Sequence, residues 1–334
     1  VNAANWLPLS FRIDGGAWFN FSPDPSQEIL GIKRVLDMKT GVLKRELELK
    51  DEKGRITRLV SSRFAGMEDP HRAGIRYALT PLNYSGKIEL RSCISGDHKN
   101  AGVERYNDLN QDHLLPLKQE LNGEVLELLL KTTQSEIEIA CCARNLIQSK
   151  SEVESVVDSG PGWLASTFTT GALEGEEIVL DKLVSMATSR DPGVKNALLT
   201  ARGIIAQMGD FQKELTLSSR AWDKIWKQID VSIEGDREAQ KLIRLHLFHM
   251  MVSASPHHAG LDAGIGPRGL HGEAYRGHIF WDELYILPLY NIHFPEVVKS
   301  VLMYRYRRLD EARKSASEHG YRGAMFPWQS GSDG

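Results

Sequence analysis

The alternation of apolar and polar positions divides the chain near residue 190. Before that point, short segments with alternating apolar residues are separated by turn residues. They predict strands at 41–49, 55–60, 87–93, 124–130, 135–141 and 176–186. A period of two is typical of strands that bury one face, and closely spaced strands without helical segments between them favour an antiparallel β-sandwich.

After Asp191-Pro192 the apolar residues recur every three to four positions, which is the helical period. This spacing predicts helices at 194–208, 218–229, 279–292 and 295–320, and a further helix from Asp236 to about 253. Ser218 or Ser219 is the expected N-cap of the second helix and Asp236 that of the third, while Gly320 ends the last. The fold class is therefore β plus α, in successive regions of the chain.

Composition excludes several functional classes. The chain has 334 residues with 41 basic and 44 acidic side chains, a net charge of −3 with neutral histidine. A near balance of charge gives no support to a nucleic-acid partner, and no apolar stretch approaches the ~18 residues that span a bilayer, so no membrane partner is expected. The three cysteines cannot form a disulfide framework, and Cys141 and Cys142 are adjacent. These features favour a reducing compartment, the cytoplasm.

A glycine-rich stretch at 255–277 separates two predicted helices. Residues 264–269 match the pattern G-x-G-x-x-G, but they follow a helix rather than a strand, so a nucleotide site is not favoured. Glycines here fit a loop whose backbone approaches a ligand, although a surface loop remains an alternative. His246 and His249 lie one helical turn apart without a further ligand at matched spacing, so no metal site is predicted.

The residues that follow are typical of a sugar site. Five of these residues fall within a stretch of ten, 273–282: Glu273, Tyr275, Arg276, Trp281 and Asp282. An indole can pack on the apolar face of a pyranose, and charged side chains can form paired hydrogen bonds to adjacent hydroxyls. The alternative is that the aromatic residues belong to the core of the next helix and the charged side chains are solvated.

Longer motifs resemble one enzyme family. The stretch 268–283, Arg-Gly-Leu-His-Gly-Glu-Ala-Tyr-Arg-Gly-His-Ile-Phe-Trp-Asp-Glu, resembles the signature loop of glycoside hydrolase family 65. The stretches 304–313 and 320–328 resemble segments that follow in the family, and 41–45, 63–64, His71 and 100–106 resemble its N-terminal domain. The family contains inverting maltose, trehalose and kojibiose phosphorylases and related disaccharide hydrolases.

The resemblance implies a domain organisation. It implies an N-terminal antiparallel β-sandwich at 1–187, a helical linker at 188–235 and the start of an (α/α)6 barrel at 236–334. Both ends of the sequence look cut, and we expect a truncated barrel. In the family the general acid is a glutamate well downstream of the motif that Pro327-Trp328 resembles, so we expect it beyond Gly334 and assign no catalytic residue to this chain.

The resemblance also implies roles for the candidate residues. Trp281 and Asp282 would hold a glucosyl unit in the −1 subsite, and Trp328 would close it. Glu273, Tyr275 and Arg276 would shape the pocket. Glu283 departs from the usual family pattern after Trp-Asp and receives no role, and His278 receives none because the family varies there.

Three functions follow as alternatives. The favoured one is a disaccharide phosphorylase that releases β-glucose 1-phosphate, with a disaccharide and inorganic phosphate as partners and no cofactor. The second is a hydrolase of trehalase or kojibiose hydrolase type. The third is a non-catalytic fragment that at most binds sugar. A homodimer of the intact protein, as in family members, is a further expectation.

Overall fold

The computed structural model describes residues 2–19, 27–269 and 273–331. The chain forms two compact units. The sandwich unit comprises Asn2–Lys99 and Asp112–Lys224, and the helical unit comprises Asn100–Gln111 and the chain from Ile225 onward. The segment 100–111 therefore belongs to the helical unit although it lies between two sandwich strands in sequence, a connection that the hydrophobic pattern does not indicate.

Antiparallel strands build the sandwich unit. They are β1 (Leu9–Ile13), β2 (Gln27–Asp37), β3 (Val42–Asp51), β4 (Ile56–Ala65), β5 (Arg72–Pro81), β6 (Gly86–Ser95), β7 (Leu114–Asn122), β8 (Val125–Thr132), β9 (Glu138–Gln148), β10 (Val153–Gly160), β11 (Trp163–Ala172) and β12 (Ile178–Thr188). One sheet has the order β1-β6-β11-β10, and the other has the order β2-β3-β4-β5-β12-β9-β8-β7.

The inner faces of the two sheets form the core of the sandwich. Ile88 and Leu90 of the smaller sheet pack in one cluster with Leu47, Leu59 and Leu79 of the larger sheet. These side chains are almost completely buried and alternate with more exposed positions along each strand. The period of two in the sequence is thus the period of burial, and the antiparallel β-sandwich is confirmed.

Helices follow the strands. They are α1 (Ala197–Gln207), α2 (Phe211–Ile229), α3 (Arg237–Ser253), α4 (Glu283–His293), α5 (Pro295–Tyr306) and α6 (Leu309–Glu318). Two short strands, β13 (Ile279–Phe280) and β14 (Gln329–Ser330), pair with each other. Over the described part of the chain, no helix combines the length and the apolar character that crossing a membrane requires.

The outer face of the larger sheet is covered by α1 and the start of α2. Ala201 and Ile205 of α1 and Phe211 of α2 pack in one cluster with Phe64 and Leu183 of the sheet. Asn196 caps α1, since its side chain accepts a hydrogen bond from the Leu199 amide. The larger sheet is therefore buried on both faces along its middle strands.

The sequence located several elements correctly. The predicted strands overlap β3, β4, β6, β8, β9 and β12, and the predicted first and third helices overlap α1 and α3. Asp236 caps α3 as expected, because its carboxylate accepts a hydrogen bond from the Ala239 amide at 2.9 Å. Cys141 is a fully buried residue of β9.

Two helix boundaries predicted from the sequence are wrong. The second helix begins at Phe211 rather than at Ser218, whose hydroxyl instead accepts a hydrogen bond from the Met67 amide at 3.1 Å. The helix predicted at 279–292 begins at Glu283, because Ile279 and Phe280 pair with residues 329–330 as strands.

The single helix predicted at 295–320 is also wrong, because it is broken into α5 and α6 at Arg307 and Arg308. The Arg308 guanidinium binds the Asp262 carboxylate and lies 3.9 Å from the centroid of the Tyr304 ring. These contacts fix Arg308 in a non-helical conformation, so a tertiary interaction overrides the local helical period.

Candidate functional site

A short pair of strands brings two tryptophans together. Ile279 pairs with Ser330 and Phe280 with Gln329, so the residues next to the strands, Trp281 and Trp328, become neighbours. The Trp281 amide donates a hydrogen bond to the Trp328 carbonyl at 3.2 Å. The indoles are 48% and 66% exposed, respectively. Two broad aromatic surfaces are thus held in place by the backbone and remain accessible to a ligand.

A buried aromatic residue anchors this pair. Phe280 is buried, and its ring meets the Trp328 ring edge-on at 5.3 Å and the Tyr275 ring at 4.8 Å. Of the two aromatics that could have been core residues, Phe280 is therefore the core residue and Trp281 is the surface residue. Edge-to-face contacts of this kind fix ring orientation.

Asp282 lies directly after Trp281 at the N-cap position of α4. Its side chain makes no capping hydrogen bond, and its carboxylate has no hydrogen bond or ion pair with any described residue. The side chain is exposed. A carboxylate next to an exposed indole, with none of its oxygens committed within the described chain, can accept hydrogen bonds from two adjacent hydroxyls.

Glu283, one residue further, has a different environment. It is buried, accepts a hydrogen bond from the Arg305 guanidinium at 3.2 Å and lies 3.4 Å from the Ile265 amide. Burial raises the pKa of Glu283, and the neighbouring Arg305 opposes the rise. A Cβ on Gly264 would lie 2.7 Å from the Ile279 side chain and 3.0 Å from the Glu283 carboxylate. Glu283 therefore fixes the glycine-rich loop on α4 rather than facing a ligand.

The loop before β13 has an unusual backbone. Tyr275 and Arg276 have φ values of 62° and 52°, which is the left-handed region that only a few per cent of non-glycine residues adopt. Such residues cost about 1–3 kcal/mol each and cluster at functional sites. The Arg276 guanidinium donates to the Asn110 carbonyl at 3.2 Å and lies 5.5 Å from the centroid of the Tyr106 ring.

Glu273 is engaged by the same distant segment. Its carboxylate accepts a hydrogen bond from the Gly102 amide at 2.7 Å. Above Tyr275 lie the guanidinium groups of Arg105, at 5.4 Å, and Arg268, at 5.7 Å. The segment 100–111 is thus fastened to the loop that carries three candidate residues. The sequence does not indicate this connection, because Gly102 and Glu273 are 171 positions apart and a backbone amide leaves no pattern in the sequence.

The structure therefore separates the six candidate residues into two groups. Trp281, Trp328 and Asp282 present exposed side chains, whereas Glu273, Tyr275 and Arg276 hold the segment 100–111. The stretch 270–272 of the same loop and the residues after 331 lie outside the described residues. Over the described chain, no group of three or more histidine, cysteine, aspartate or glutamate side chains could hold a metal ion.

Comparison with known proteins gives the family. The model named "Glycosyl hydrolase family 65, N-terminal domain" matches residues 1–225, and the "Glycosyl hydrolase family 65 central catalytic domain" matches residues 244–334. An uncharacterized glycosyl hydrolase of Mycobacterium tuberculosis is 38% identical over the whole chain, which covers 25% of that protein. A kojibiose phosphorylase of Thermoanaerobacter brockii is 35% identical over the whole chain, which covers 44% of that protein.

A further curated relative and a solved structure are also similar to the chain. An α,α-trehalose phosphorylase of Thermoanaerobacter brockii is 31% identical over 90% of this chain. A solved putative kojibiose phosphorylase from the human microbiome shares the fold, with a TM-score of 0.82 over the whole chain, 42% of that structure and 21% identity. The chain spans less than half of the length of each of these relatives. Because the first family model matches more than half of the chain and the second matches its carboxyl-terminal part, the chain belongs to glycosyl hydrolase family 65.

Proposed function

We propose that the full-length protein is an inverting phosphorylase that acts on an α-linked glucose disaccharide and releases β-glucose 1-phosphate. The observation that carries the proposal is the pair of exposed indoles, Trp281 and Trp328, with the unengaged Asp282 carboxylate directly after the first. The names of two relatives, a kojibiose phosphorylase and an α,α-trehalose phosphorylase, support phosphorolysis.

The three side chains would bind the glucosyl unit. The indoles would pack on the apolar faces of the pyranose ring, and Asp282 would accept hydrogen bonds from two of its hydroxyls. An oxygen of inorganic phosphate would attack the anomeric carbon from the side opposite the glycosidic oxygen. The bond to phosphate forms as the bond to the leaving sugar breaks, and a carboxylic acid protonates the leaving oxygen.

Among the described residues around Trp281 and Trp328, no carboxylic acid suits this last role. Glu273 is bound to the Gly102 amide, Glu283 is buried with Arg305, and Asp282 would be occupied by the sugar. We therefore propose that the general acid is a glutamate outside residues 1–334 and that these residues alone bind sugar without turning it over. Purified residues 1–334 should show no product from disaccharide and phosphate, and turnover at a rate of about 1 s⁻¹ or more would contradict this.

The proposed reaction is tested on the full-length protein. Kojibiose, trehalose, nigerose and maltose are each incubated with and without inorganic phosphate, and products are followed by proton and phosphorus NMR. We expect phosphate-dependent consumption of at least one disaccharide, with the β anomer of glucose 1-phosphate as the first product. Phosphate-independent release of glucose would instead establish hydrolysis, and formation of the α anomer would refute inversion.

A further inference from the structure

The sandwich unit contains a cavity on the inner face of the larger sheet. This cavity of about 410 Å³ opens between the N-terminal segment around Pro8 and strands β2 to β5. The strand register places Arg34 opposite Arg45, Arg45 opposite Ser61, and Ser61 opposite Tyr77, so that these side chains form one row across four strands. On the same face of β4, two residues after Ser61, Arg63 lies opposite Ile75.

The charges in this cavity are of one sign. Arg34, Arg45 and Arg63 line it, and no carboxylate is among the described residues that do. Arg34 and Arg63 form no ion pair with any described residue. Like charges directly opposite each other on a sheet are destabilising. By contrast Arg76, on the other face of β5, is held by both oxygens of Asp181 at 2.7 Å.

The pKa values of Arg45 and Arg63 reflect the proximity of these positive charges. Desolvation of the guanidinium lowers the pKa of Arg45, Tyr77 opposes this, and Arg63 and Arg34 lower the pKa further. Arg63 is exposed, and its pKa is lowered by partial desolvation and then by Arg34. An anion placed among the three guanidinium groups would relieve this repulsion, because each can donate two parallel hydrogen bonds to an oxyanion.

A buried hydroxyl gives an independent indication of a missing ligand. Tyr77 lines the cavity and is 1% exposed, and its hydroxyl oxygen has no hydrogen-bond partner among the described residues. A buried hydroxyl without a partner is unfavourable, and native structures contain few of them. A ligand oxygen in the cavity would accept the hydrogen bond that this hydroxyl can donate.

We propose that this cavity binds the phosphate group of a small organic phosphate, such as a sugar phosphate, through Arg34, Arg45, Arg63 and the Tyr77 hydroxyl. The volume falls in the ~300–1,000 Å³ range of pockets that take small organic ligands, so there is room for more than a bare phosphate ion. Leu7 and Leu9 supply apolar surface for the rest of the ligand. The site does not depend on the proposed phosphorylase activity.

The test measures binding and stability in the full-length protein. Glucose 6-phosphate, glucose 1-phosphate and inorganic phosphate are titrated by calorimetry at constant ionic strength, and thermal unfolding is recorded with each. We expect glucose 6-phosphate, which is neither product nor co-substrate of the proposed reaction, to bind more tightly than inorganic phosphate and to raise the melting temperature. Arg63→Gln should weaken that binding by about tenfold or more, because it removes a charged donor.

Matched variants separate this site from others. Arg58→Gln removes the same charge from the opposite face of β4 and should leave the affinity unchanged. Glucose 1-phosphate and inorganic phosphate would also bind at the proposed sugar site, so the variants are compared with glucose 6-phosphate, and a loss of affinity seen in Arg63→Gln but not in Arg58→Gln is assigned to the cavity. Tyr77→Phe should weaken ligand binding while the unliganded protein is at least as stable as the wild type, since the variant lacks the unpaired hydroxyl.

Three results would overturn the proposal. The first is that glucose 6-phosphate gives no calorimetric binding signal and no change in the melting temperature of the wild-type protein. The second is equal loss of affinity in Arg58→Gln and Arg63→Gln, which would indicate only a general effect of charge. The third is a change of oligomeric state in Arg63→Gln, measured by sedimentation, without a change of ligand affinity, which would assign the arginines to a contact between copies of the chain.

Discussion

The central strands of the sandwich unit and helix α4 of the helical unit bury their apolar residues to different extents. In the sandwich unit the central strands of both sheets bury residues such as Leu59, Leu79 and Ile88 completely. In the helical unit, large apolar side chains remain exposed on α4, with Tyr285 72% and Ile292 75% exposed. Both units contain well-formed secondary structure, so the difference lies in how fully each covers its own apolar surface.

This difference suggests that stability and ligand binding depend on different parts of the molecule. Two sheets that pack face to face cover each other, whereas contiguous exposed apolar surface marks a place where a ligand or another part of a protein binds. The exposed indoles of Trp281 and Trp328 belong to the helical unit. We therefore expect substitutions in the sandwich to change the free energy of unfolding, and substitutions at the exposed surface of the helical unit to change activity.

The largest effect is expected at Asp282. In the full-length protein, Asp282→Ala removes two charge-assisted hydrogen bonds of about 1.5–3 kcal/mol each, which should lower kcat/KM by about 10²- to 10⁴-fold on every substrate. The melting temperature should not change, because the carboxylate has no partner among the described residues. An unchanged kcat/KM, or a large loss of stability, would contradict the separation of roles.

The next largest effect is expected at Gly41, in the turn between β2 and β3. Its φ is +69°, and a Cβ there would overlap the Trp222 indole. Gly41→Ala should lower the free energy of unfolding by about 2–5 kcal/mol through backbone strain and overpacking. Gly54→Ala is the control, since its φ is +78° but no atom lies within 4 Å of the added Cβ. Chemical denaturation should show a clearly smaller loss for Gly54→Ala, and equal losses would exclude the contact with Trp222.

A pH-dependent effect is expected at Lys182 of β12. This side chain is fully buried between the sheets, and its ammonium group donates to the Cys93 carbonyl at 2.6 Å. Burial lowers the pKa of Lys182 to about 8. Between pH 8 and about 10.5 the unfolded chain binds more protons at this group than the folded chain, so the free energy of unfolding rises with pH by about 3 kcal/mol.

The comparison with Lys182→Met isolates this contribution. Burial raises the pKa of Cys141 to about 12, so that thiol lowers the free energy of unfolding above pH 9 and partly masks the lysine in the wild type. The same thiol is present in both proteins, and the difference between their unfolding curves therefore reports Lys182 together with its electrostatic interaction with that thiol. We expect Lys182→Met to be the more stable protein at pH 7 and to lose that advantage by pH 10.5. A difference independent of pH would show that the lysine is not desolvated.

The smallest effect is expected at Glu273. Glu273→Ala removes the acceptor of the Gly102 amide, and hydrogen exchange of that amide should speed up by about tenfold, equivalent to about 1.4 kcal/mol. Glu273→Gln keeps a carbonyl oxygen in the same place and should restore most of the protection. Identical exchange in the wild type and both variants would mean that the carboxylate does not hold the segment 100–111.

The sequence predicted the fold better than it predicted the site. Alternation located β3, β6 and β12 because their inward residues are large and apolar. It missed β2, whose apolar residues such as Ile32 are exposed on an edge strand, so burial imposes no alternation on them. It also missed the break between α5 and α6, which depends on the contact of Arg308 with Asp262.

At the site, the family motifs identified Trp281, Asp282 and Trp328 as binding residues, and those roles remain predictions. The geometry adds what no local pattern contains. Phe280 rather than Trp281 enters the core, and Glu283 turns inward to Arg305. Adjacent residues of similar type thus separate into exposed and buried positions, a separation that becomes visible only in the structure, where β13 pairs with β14.

The position of the segment 100–111 bears on how members of glycosyl hydrolase family 65 come to differ from one another. It is encoded between β6 and β7, yet its Gly102 and Asn110 are bonded to Glu273 and Arg276. A chimaera that exchanged the first 224 residues between two relatives would also exchange the neighbours of the glycine-rich loop, although every later residue stayed the same. Substrate preference in such hybrids would then follow the donor of the amino-terminal half as well as the donor of the helices.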